Sequence, residues 1–317
     1  MAELIEVRNL KKYFKVPAGY NHAVDDVSFT IRKGETLGVV GESGCGKSTL
    51  GRAIIRLHEA TDGQVLLNGE DITHIKGRAL ERVREKMQII FQDPYSSLNP
   101  RMTIEETIRE PLQYSGRFRK RADLDAETNR LMDLVGIDER LRASYPHELD
   151  GGRRQRVGIA RALALNPEFV VCDEPVSALD VSIQAQVLNL LMDLQEELGM
   201  AYMFVTHDLS VVRHISNNIC VMYLGQLVEK APTDELFENT LHPYTKALLS
   251  AIPSVDIDHP MQRIQMRGEI TSPINPKPGC RFASRCPYAT EACSQPQKLE
   301  EVSPGHFVSC CRVKEVN

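Results

Sequence analysis

Short apolar runs separated by polar turns fill the first ninety residues. Ile5-Glu6-Val7, Val27–Ile31 and Thr36–Val40 read as strands, with Lys33-Gly34 as a turn before the last. Gln64–Leu67 and Met87–Phe91 follow in the same style. Over residues 103–145 charged residues dominate, the spacing is mostly helical and no β-rich run occurs. From about 151 to 216 helices alternate with two continuous apolar strands, Glu168–Cys172 and Ala201–Val205. Strands apolar on both faces and separated by helices predict a parallel sheet covered on both sides. The helical stretch interrupts this α/β order and reads as an inserted subdomain. Beyond residue 252 the chain becomes rich in proline and cysteine and irregular, which places a boundary there. No internal repeat or low-complexity tract occurs.

The order of elements gives one segment a chemical meaning. Residues 41–49 read Gly-Glu-Ser-Gly-Cys-Gly-Lys-Ser-Thr, directly after the strand Thr36–Val40 and before a helical stretch from Lys47 to Leu57. This is a G-x-x-x-x-G-K-[ST] loop in the strand–loop–helix setting that a phosphate cradle needs. Gly41, Gly44 and Gly46 let the backbone curl, so that the N–H groups of Ser43, Cys45 and Thr49 and a helix N-terminus can converge on phosphate. Lys47 can reach the β- and γ-phosphates, and the Ser48 hydroxyl can ligand Mg²⁺. A nucleoside triphosphate is therefore the expected ligand. A second acidic site is needed, and Phe169-Val-Val-Cys-Asp-Glu174 supplies it at the end of a buried strand. Asp173 suits Mg²⁺ through water, and Glu174 suits the orientation or deprotonation of the attacking water. Two acids beside Pro175 could otherwise cap a turn.

Composition narrows the class. A chain of 317 residues suggests about two domains. Apolar content of 42% and charged content of 26% are those of an ordinary globular protein. A formal charge of −5 argues against a general nucleic-acid surface. Met1-Ala-Glu-Leu-Ile-Glu6 lacks the basic start and apolar stretch of a signal peptide. No run approaches the roughly 18 apolar residues of a membrane span. A cytosolic protein is expected, reaching the membrane only through a partner. Of the 8 cysteines, Cys280, Cys286, Cys293, Cys310 and Cys311 crowd the last forty residues. In a reducing compartment such a cluster reads as metal-binding before disulfide.

With these motifs in place, the chain resembles the ATPase subunit of an ABC transporter. Phe91-Gln92-Asp93 resembles the family's glutamine loop, where Gln92 is expected to touch Mg²⁺ or water. Leu149-Asp150-Gly151-Gly152-Arg153 falls where the signature Leu-Ser-Gly-Gly-Gln is found. Ser177-Ala178-Leu179-Asp180 resembles the loop that crosses the dimer interface, and Val205-Thr-His207-Asp the switch histidine expected at the γ-phosphate. Phe14 sits where an aromatic residue stacks on adenine. The resemblance spans residues 4 to about 250. It implies a P-loop NTPase, ABC nucleotide-binding domain over residues 1–252. Within it are a mixed sheet core, an antiparallel β subdomain and an inserted helical subdomain at about 100–165. Residues 253–317 form a small irregular Cys-rich extension. It further implies a head-to-tail dimer that sandwiches two ATP molecules and drives two membrane-spanning permease subunits. An extracytoplasmic substrate-binding protein takes part indirectly, no nucleic acid does, and the expected place is the cytoplasmic face of the cell membrane, peripheral to it.

One departure stands out. The family's signature serine donates a hydroxyl toward the partner's γ-phosphate, and this chain has Asp150 there. A like-charged pair at ~4 Å costs on the order of 4 kcal/mol at an effective dielectric of 20. Aspartate is also a good helix N-cap, so a cap change without catalytic meaning is the plain alternative. The expectation is a degenerate signature half-site on a subunit whose own Lys47, Glu174 and His207 are intact. Such a subunit works best beside a second ABC ATPase subunit with an intact signature.

The tail refines the branch. Leu241–Pro253 and Gly279-Cys-Arg-Phe-Ala-Ser-Arg-Cys-Pro-Tyr-Ala289 resemble the C-terminal region of di- and oligopeptide importer ATPases. Gly44-Cys-Gly-Lys-Ser-Thr49 with Leu50-Gly-Arg52 resembles the second, F-type ATPase of the peptide-permease pair. Peptide import is the implied task. Relatives with this tail also serve nickel, glutathione or other small solutes, and an ATP-binding regulatory subunit is a further alternative. A soluble ABC ATPase acting on nucleic acid or ribosomes fits poorly, because one motif set and no heptad run are present. Cys280, Cys286, Cys293 and Cys310 have the spacing C-x5-C-x6-C-x16-C. Four thiolates can hold an iron–sulfur cluster or Zn²⁺. The resemblance favours [4Fe–4S], Zn²⁺ and unliganded thiols remain open, and Cys311 can stand in for Cys310.

Overall fold

The computed structural model describes residues 3–252, 264–266, 268–269 and 271–316. The chain forms two compact units, Met1–His74 with Phe204–Asn317, and Ile75–Met203. The first begins with two long antiparallel strands, β1 (Glu3–Val16) and β2 (Gly19–Arg32), of 14 residues each. In β1 Leu4 and Ile5 are both buried, and Val7 is followed by Leu10 because a register shift at Asn9, with φ of 45°, adds a residue. A bulge of this kind keeps one face turned to the core after the alternation has slipped. Next comes β3 (Thr36–Val40), buried at every position, followed by the helix α1 (Lys47–Ile54). The strands β4 (Asp62–Leu67) and β5 (Glu70–Asp71) complete a four-stranded antiparallel sheet of order β2-β1-β4-β5.

The second unit carries the inserted helices. After α2 (Gly77–Lys86), β6 (Met87–Ile90) pairs in parallel with β7 (Phe169–Asp173), Met87 opposite Phe169 and Ile90 opposite Cys172. Asp93 caps the single turn α3 (Pro94–Ser97) by accepting a 2.9 Å bond from the Tyr95 N–H. The helix α4 (Ile104–Ser115) opens on a capping box. Thr103 Oγ1 accepts from the Glu106 N–H at 3.2 Å, and Glu106 Oε2 from the Thr103 N–H at 2.8 Å. It is followed by α5 (Arg121–Leu134), α6 (Gly151–Leu163) and α7 (Val181–Leu198). Arg142 bonds both oxygens of Glu105 at 2.6 and 2.7 Å, and Arg109 pairs with Glu105 and Asp125, which fastens α4 to its neighbours. The inserted helical segment thus exists as read.

The chain returns to the first unit within β8 (Ala201–Thr206) and continues through α8 (Leu209–Ile215), β9 (Asn218–Tyr223) and β10 (Gln226–Pro232). Here the sheet is mixed, as the family resemblance implies. β9 runs parallel to β3, but β10 is antiparallel to β9. After α9 (Thr233–Glu238) and α10 (Pro243–Leu249), the tail adds a further antiparallel pair, β11 (Glu300–Ser303) and β12 (His306–Val308). Glu229 and Lys230 of β10 lie opposite Val308 and Phe307, so this part of the sheet reads β11-β12-β10-β9-β3. A last turn, α11 (Val313–Val316), follows. The extension is therefore irregular only in part. Its Phe282 is 1% exposed in a core shared with Val221, Tyr223, Leu236 and Tyr244. The boundary read after residue 252 falls at the edge of the described residues, and 253–263 lie outside them.

Candidate functional site

In the first unit the phosphate loop leaves β3 with Gly41, Gly44 and Gly46 all in backbone conformations that side chains rarely adopt. At Gly41 (φ 153°) a Cβ would stand 2.1 Å from the Met222 carbonyl, and at Gly46 (φ 107°) 1.9 Å from the Ala23 carbonyl. The loop passes so close to backbone that only glycine fits at these points. Gly46 immediately precedes α1, whose first N–H groups have no partner within the helix. Lys47 is 4% exposed, and its Nζ donates to the Gly41 and Glu42 carbonyls at 2.7 and 3.0 Å. A buried ammonium held by loop carbonyls, beside a helix N-terminus, fits an anion-binding cradle. The Cys45 thiol is buried 3.9 Å from Lys47 Nζ, and burial raises its pKa. The Cys45 carbonyl accepts from the Gly225 N–H at 2.8 Å, which pins the loop to the β9–β10 turn. His207 follows β8 and is exposed, while Asp208 caps α8.

Phe14, on β1, meets His58 edge-on at 5.5 Å between ring centroids, and Lys12 Nζ lies 4.9 Å from its ring centre. Its neighbour Tyr13 is committed elsewhere. Tyr13 stacks on His22 at 3.9 Å and donates its hydroxyl to Asp25. Phe14 is the aromatic residue of this strand that remains half-exposed without a hydrogen-bonding duty.

The second unit holds the other set. Asp173 ends β7 at 1% exposure, and Glu174 follows with φ of 49°. A left-handed glutamate at a strand end is a strained position of the sort found at functional sites. Gln92 Nε2 donates to Glu174 Oε2 at 2.8 Å, bringing together two residues 82 positions apart. The Ser177 N–H and hydroxyl donate to the Glu174 carbonyl at 3.3 and 3.1 Å, so Ser177-Ala178-Leu179-Asp180 packs directly behind the acid. Asp180 ends that loop as the N-cap of α7, accepting from the Ile183 N–H at 3.0 Å.

In the signature, Leu149 is buried and Asp150 caps α6, accepting from the Arg153 N–H at 2.8 Å ahead of Gly151 and Gly152. The Arg153 guanidinium Nε lies 3.5 Å from Asp150 Oδ2. Asp150 does serve as a helix cap, and it carries its own counter-charge.

The structure gathers the tail thiols without forming a ligand set. The Cys280 N–H donates to the Cys293 carbonyl at 2.8 Å. Burial pushes the Cys280 thiol up to about 11, and the nearby Cys293, Cys310 and Cys286 add to it. Burial and neighbouring thiols raise Cys286, Cys310 and Cys311 as well. All are free cysteines. Among the described residues no group of three or more His, Cys, Asp or Glu side chains is arranged to hold a metal ion. The metal-ligand set expected of Cys280, Cys286, Cys293 and Cys310 is not formed at these positions.

A family profile described as ABC transporter matches residues 24–177, and one described as oligopeptide/dipeptide transporter, C-terminal region, matches residues 228–293. The chain is 49% identical over 318 residues to the oligopeptide transport ATP-binding protein AppF of Bacillus subtilis, covering 97% of this chain and 96% of that protein. It is 52% identical to OppF of the same organism, with 97% and 96% covered. The chain belongs to the ATP-binding proteins of ABC transporters. A solved relative of the fold is the ATP-binding cassette MJ0796 in a dimeric post-hydrolysis state with ADP and Pi. It has a TM-score of 0.67 and 29% identity, and the match covers 73% of this chain and 99% of that one. CbiO1 of Clostridium perfringens matches with a TM-score of 0.67 at 25% identity, covering 75% and 92%.

As a member of this family the chain is an ATPase with the ABC cassette fold, and ATP with Mg²⁺ is its expected ligand pair. Among the described residues no helix is long and apolar enough to cross a membrane. Sequence reasoning missed Tyr244 and Arg285, which contact the phosphate loop at Glu42, and Arg281, which pairs with Asp25. Their motifs were visible as Leu241–Pro253 and Gly279–Ala289, but nothing local says what such distant segments touch.

Proposed function

We propose that this chain energises the import of oligopeptides, as one of two ATPase subunits attached to a pair of membrane-spanning permease subunits at the cytoplasmic face of the membrane. An extracytoplasmic binding protein would deliver the cargo. The observation that carries the reading is the joint presence of the phosphate cradle at Gly41–Thr49 and a tail matching the oligopeptide/dipeptide transporter C-terminal region. The two Bacillus relatives, both oligopeptide transport ATP-binding proteins, point the same way.

In this reading the N–H groups of Ser43 to Thr49 and the Lys47 ammonium bind the β- and γ-phosphates, and Phe14 stacks on adenine. Ser48, Gln92 and (through water) Asp173 would hold Mg²⁺, which would supply charge neutralisation at the phosphate oxygens. Glu174 orients the attacking water and accepts its proton, and His207 contacts the γ-phosphate. The bond between Gln92 and Glu174 supports a relay from the general base to the glutamine loop. Leu149-Asp150-Gly151-Gly152 faces the partner's nucleotide as a weakened half-site, so the partner ATPase bears the intact signature. Glu174→Gln tests the core of the scheme. Turnover should fall at least a hundredfold, the range of general-base loss, while an ATP-trapped dimer accumulates. Full turnover in that variant refutes the assignment.

The thiols Cys280, Cys286, Cys293 and Cys310 belong to the same proposal as ligands of a [4Fe–4S] cluster, with Zn²⁺ as the alternative. Their shared neighbourhood supports it, and loading would draw the sulfurs together and cross-link the tail within itself. Anaerobic purification with absorption spectra and metal analysis decides among iron, zinc and neither.

A further inference from the structure

The phosphate loop is gripped from outside by the C-terminal region, at Glu42. This residue follows Gly41 and is tied in three directions. Its N–H donates to Tyr244 Oη at 2.8 Å. Its carbonyl accepts from Lys47 Nζ at 3.0 Å. Its carboxylate accepts from Nη1 and Nη2 of Arg285, at 2.6 and 3.0 Å. Such a paired fork is the strongest arrangement open to a carboxylate, and lysine cannot reproduce it.

Arg285 is set rigidly. Its side chain is 8% exposed and that of Glu42 23%. Its N–H donates to the Phe282 carbonyl at 2.9 Å, and Phe282 is buried against Tyr223 and Tyr244, with centroids 5.3 Å away in each case. Arg285 Nη1 also reaches Tyr223 Oη at 3.5 Å. Four residues earlier, Arg281 pairs with Asp25, which accepts the hydroxyl of Tyr13 next to Phe14. The tail therefore holds both the loop and the strand pair that carries Phe14.

A carboxylate fixed on a loop that must receive a polyanion is unfavourable unless its charge is matched. We propose that Arg285 is a positioning residue for nucleotide binding. It neutralises Glu42 and fixes its backbone, so that the carbonyl holding Lys47 and the adjoining N–H groups stay directed at the phosphates. This makes the C-terminal region a working part of the nucleotide site. The inference rests on the phosphate-loop reading above.

The test is a double-mutant cycle on the full-length chain, measuring MgATP binding by calorimetry and folding by thermal melting. Arg285→Gln should weaken MgATP binding about tenfold, about 1.4 kcal/mol. Arg285→Lys should recover part of the loss. In a Glu42→Gln background the same Arg285→Gln change should cost less than twofold, because the charge it matched has gone. Unchanged binding in Arg285→Gln overturns the proposal. So does an equal loss in both backgrounds, which would mark Arg285 as a packing residue acting without Glu42. Failure of the unmodified chain to bind MgATP would instead overturn the phosphate-loop reading.

Discussion

Replacing Asp150 by serine separates the two meanings of this position. Asp150 caps α6 through a 2.8 Å bond from the Arg153 N–H, and serine is a cap of similar quality. The helix should therefore hold, with a stability change of only a few tenths of a kcal/mol. The charge effect is larger. A carboxylate ~4 Å from a phosphate charge costs about 4 kcal/mol at an effective dielectric of ~20. Arg153 Nε stands 3.5 Å from Asp150, and the two side chains are 57% and 58% exposed, so water and counter-charge remove much of this. A residue of about 1.4 to 2 kcal/mol is left, which is roughly ten- to thirtyfold in rate. The assay is steady-state ATP turnover of the reconstituted complex in which the partner's Walker glutamate is intact and Glu174 is replaced by glutamine. Only the site completed by this signature is then counted. Turnover of that site should rise at least tenfold in Asp150→Ser, with an unchanged melting curve. Equal turnover in both forms would refute the half-site argument and leave Asp150 as a cap alone.

Two further outcomes follow from the packing of the tail. Phe282→Ala empties a site that is 1% exposed among Tyr223, Tyr244 and Val221. It should lower stability by about 3–5 kcal/mol, read as an earlier denaturant midpoint; a shift under 1 kcal/mol would show that the tail is not part of this core. His306 gives a pH dependence. Burial lowers its pKa, but the bonds to Glu229, at 2.8 Å, and to Glu235 outweigh that and raise it above 6.5. A raised folded-state value means that this stabilisation is full below about pH 6.5 and is lost as pH rises through the folded value. Melting temperature should fall over that rise, and His306→Gln should flatten the slope; an unchanged slope would contradict the assignment.

The sequence revealed what is encoded in one short segment and concealed what depends on distant ones. Gly41–Thr49 was legible because strand, glycines, lysine and helix are contiguous, and each has one physical duty. Asp173 and Glu174 were legible as acids ending the apolar run from Phe169. Even the ambiguity of Asp150 was readable, since a residue can cap a helix and carry charge at once. The strands were read more poorly where patterning is weak. The second half of β1, Lys11-Lys-Tyr-Phe-Lys-Val16, is partly exposed and shows no clean alternation. The tail strand Glu300–Ser303 is almost wholly exposed, and pairing with β12 rather than hydrophobicity defines it. The Arg285–Glu42 clamp joins residues 243 positions apart, a distance over which no local propensity operates.

The central claim is that ATP hydrolysis on this chain drives peptide import, and uptake by the reconstituted complex tests it most directly. The chain, its partner ATPase and the two permease subunits recovered with it from native membranes would be placed in proteoliposomes with the binding protein and a labelled oligopeptide. ATP on the cytoplasmic side should drive accumulation of the peptide, and Glu174→Gln in this chain should abolish that accumulation while leaving ATP bound. Accumulation of nickel, glutathione or another small solute in place of peptide, or peptide uptake that persists in Glu174→Gln, would contradict the account.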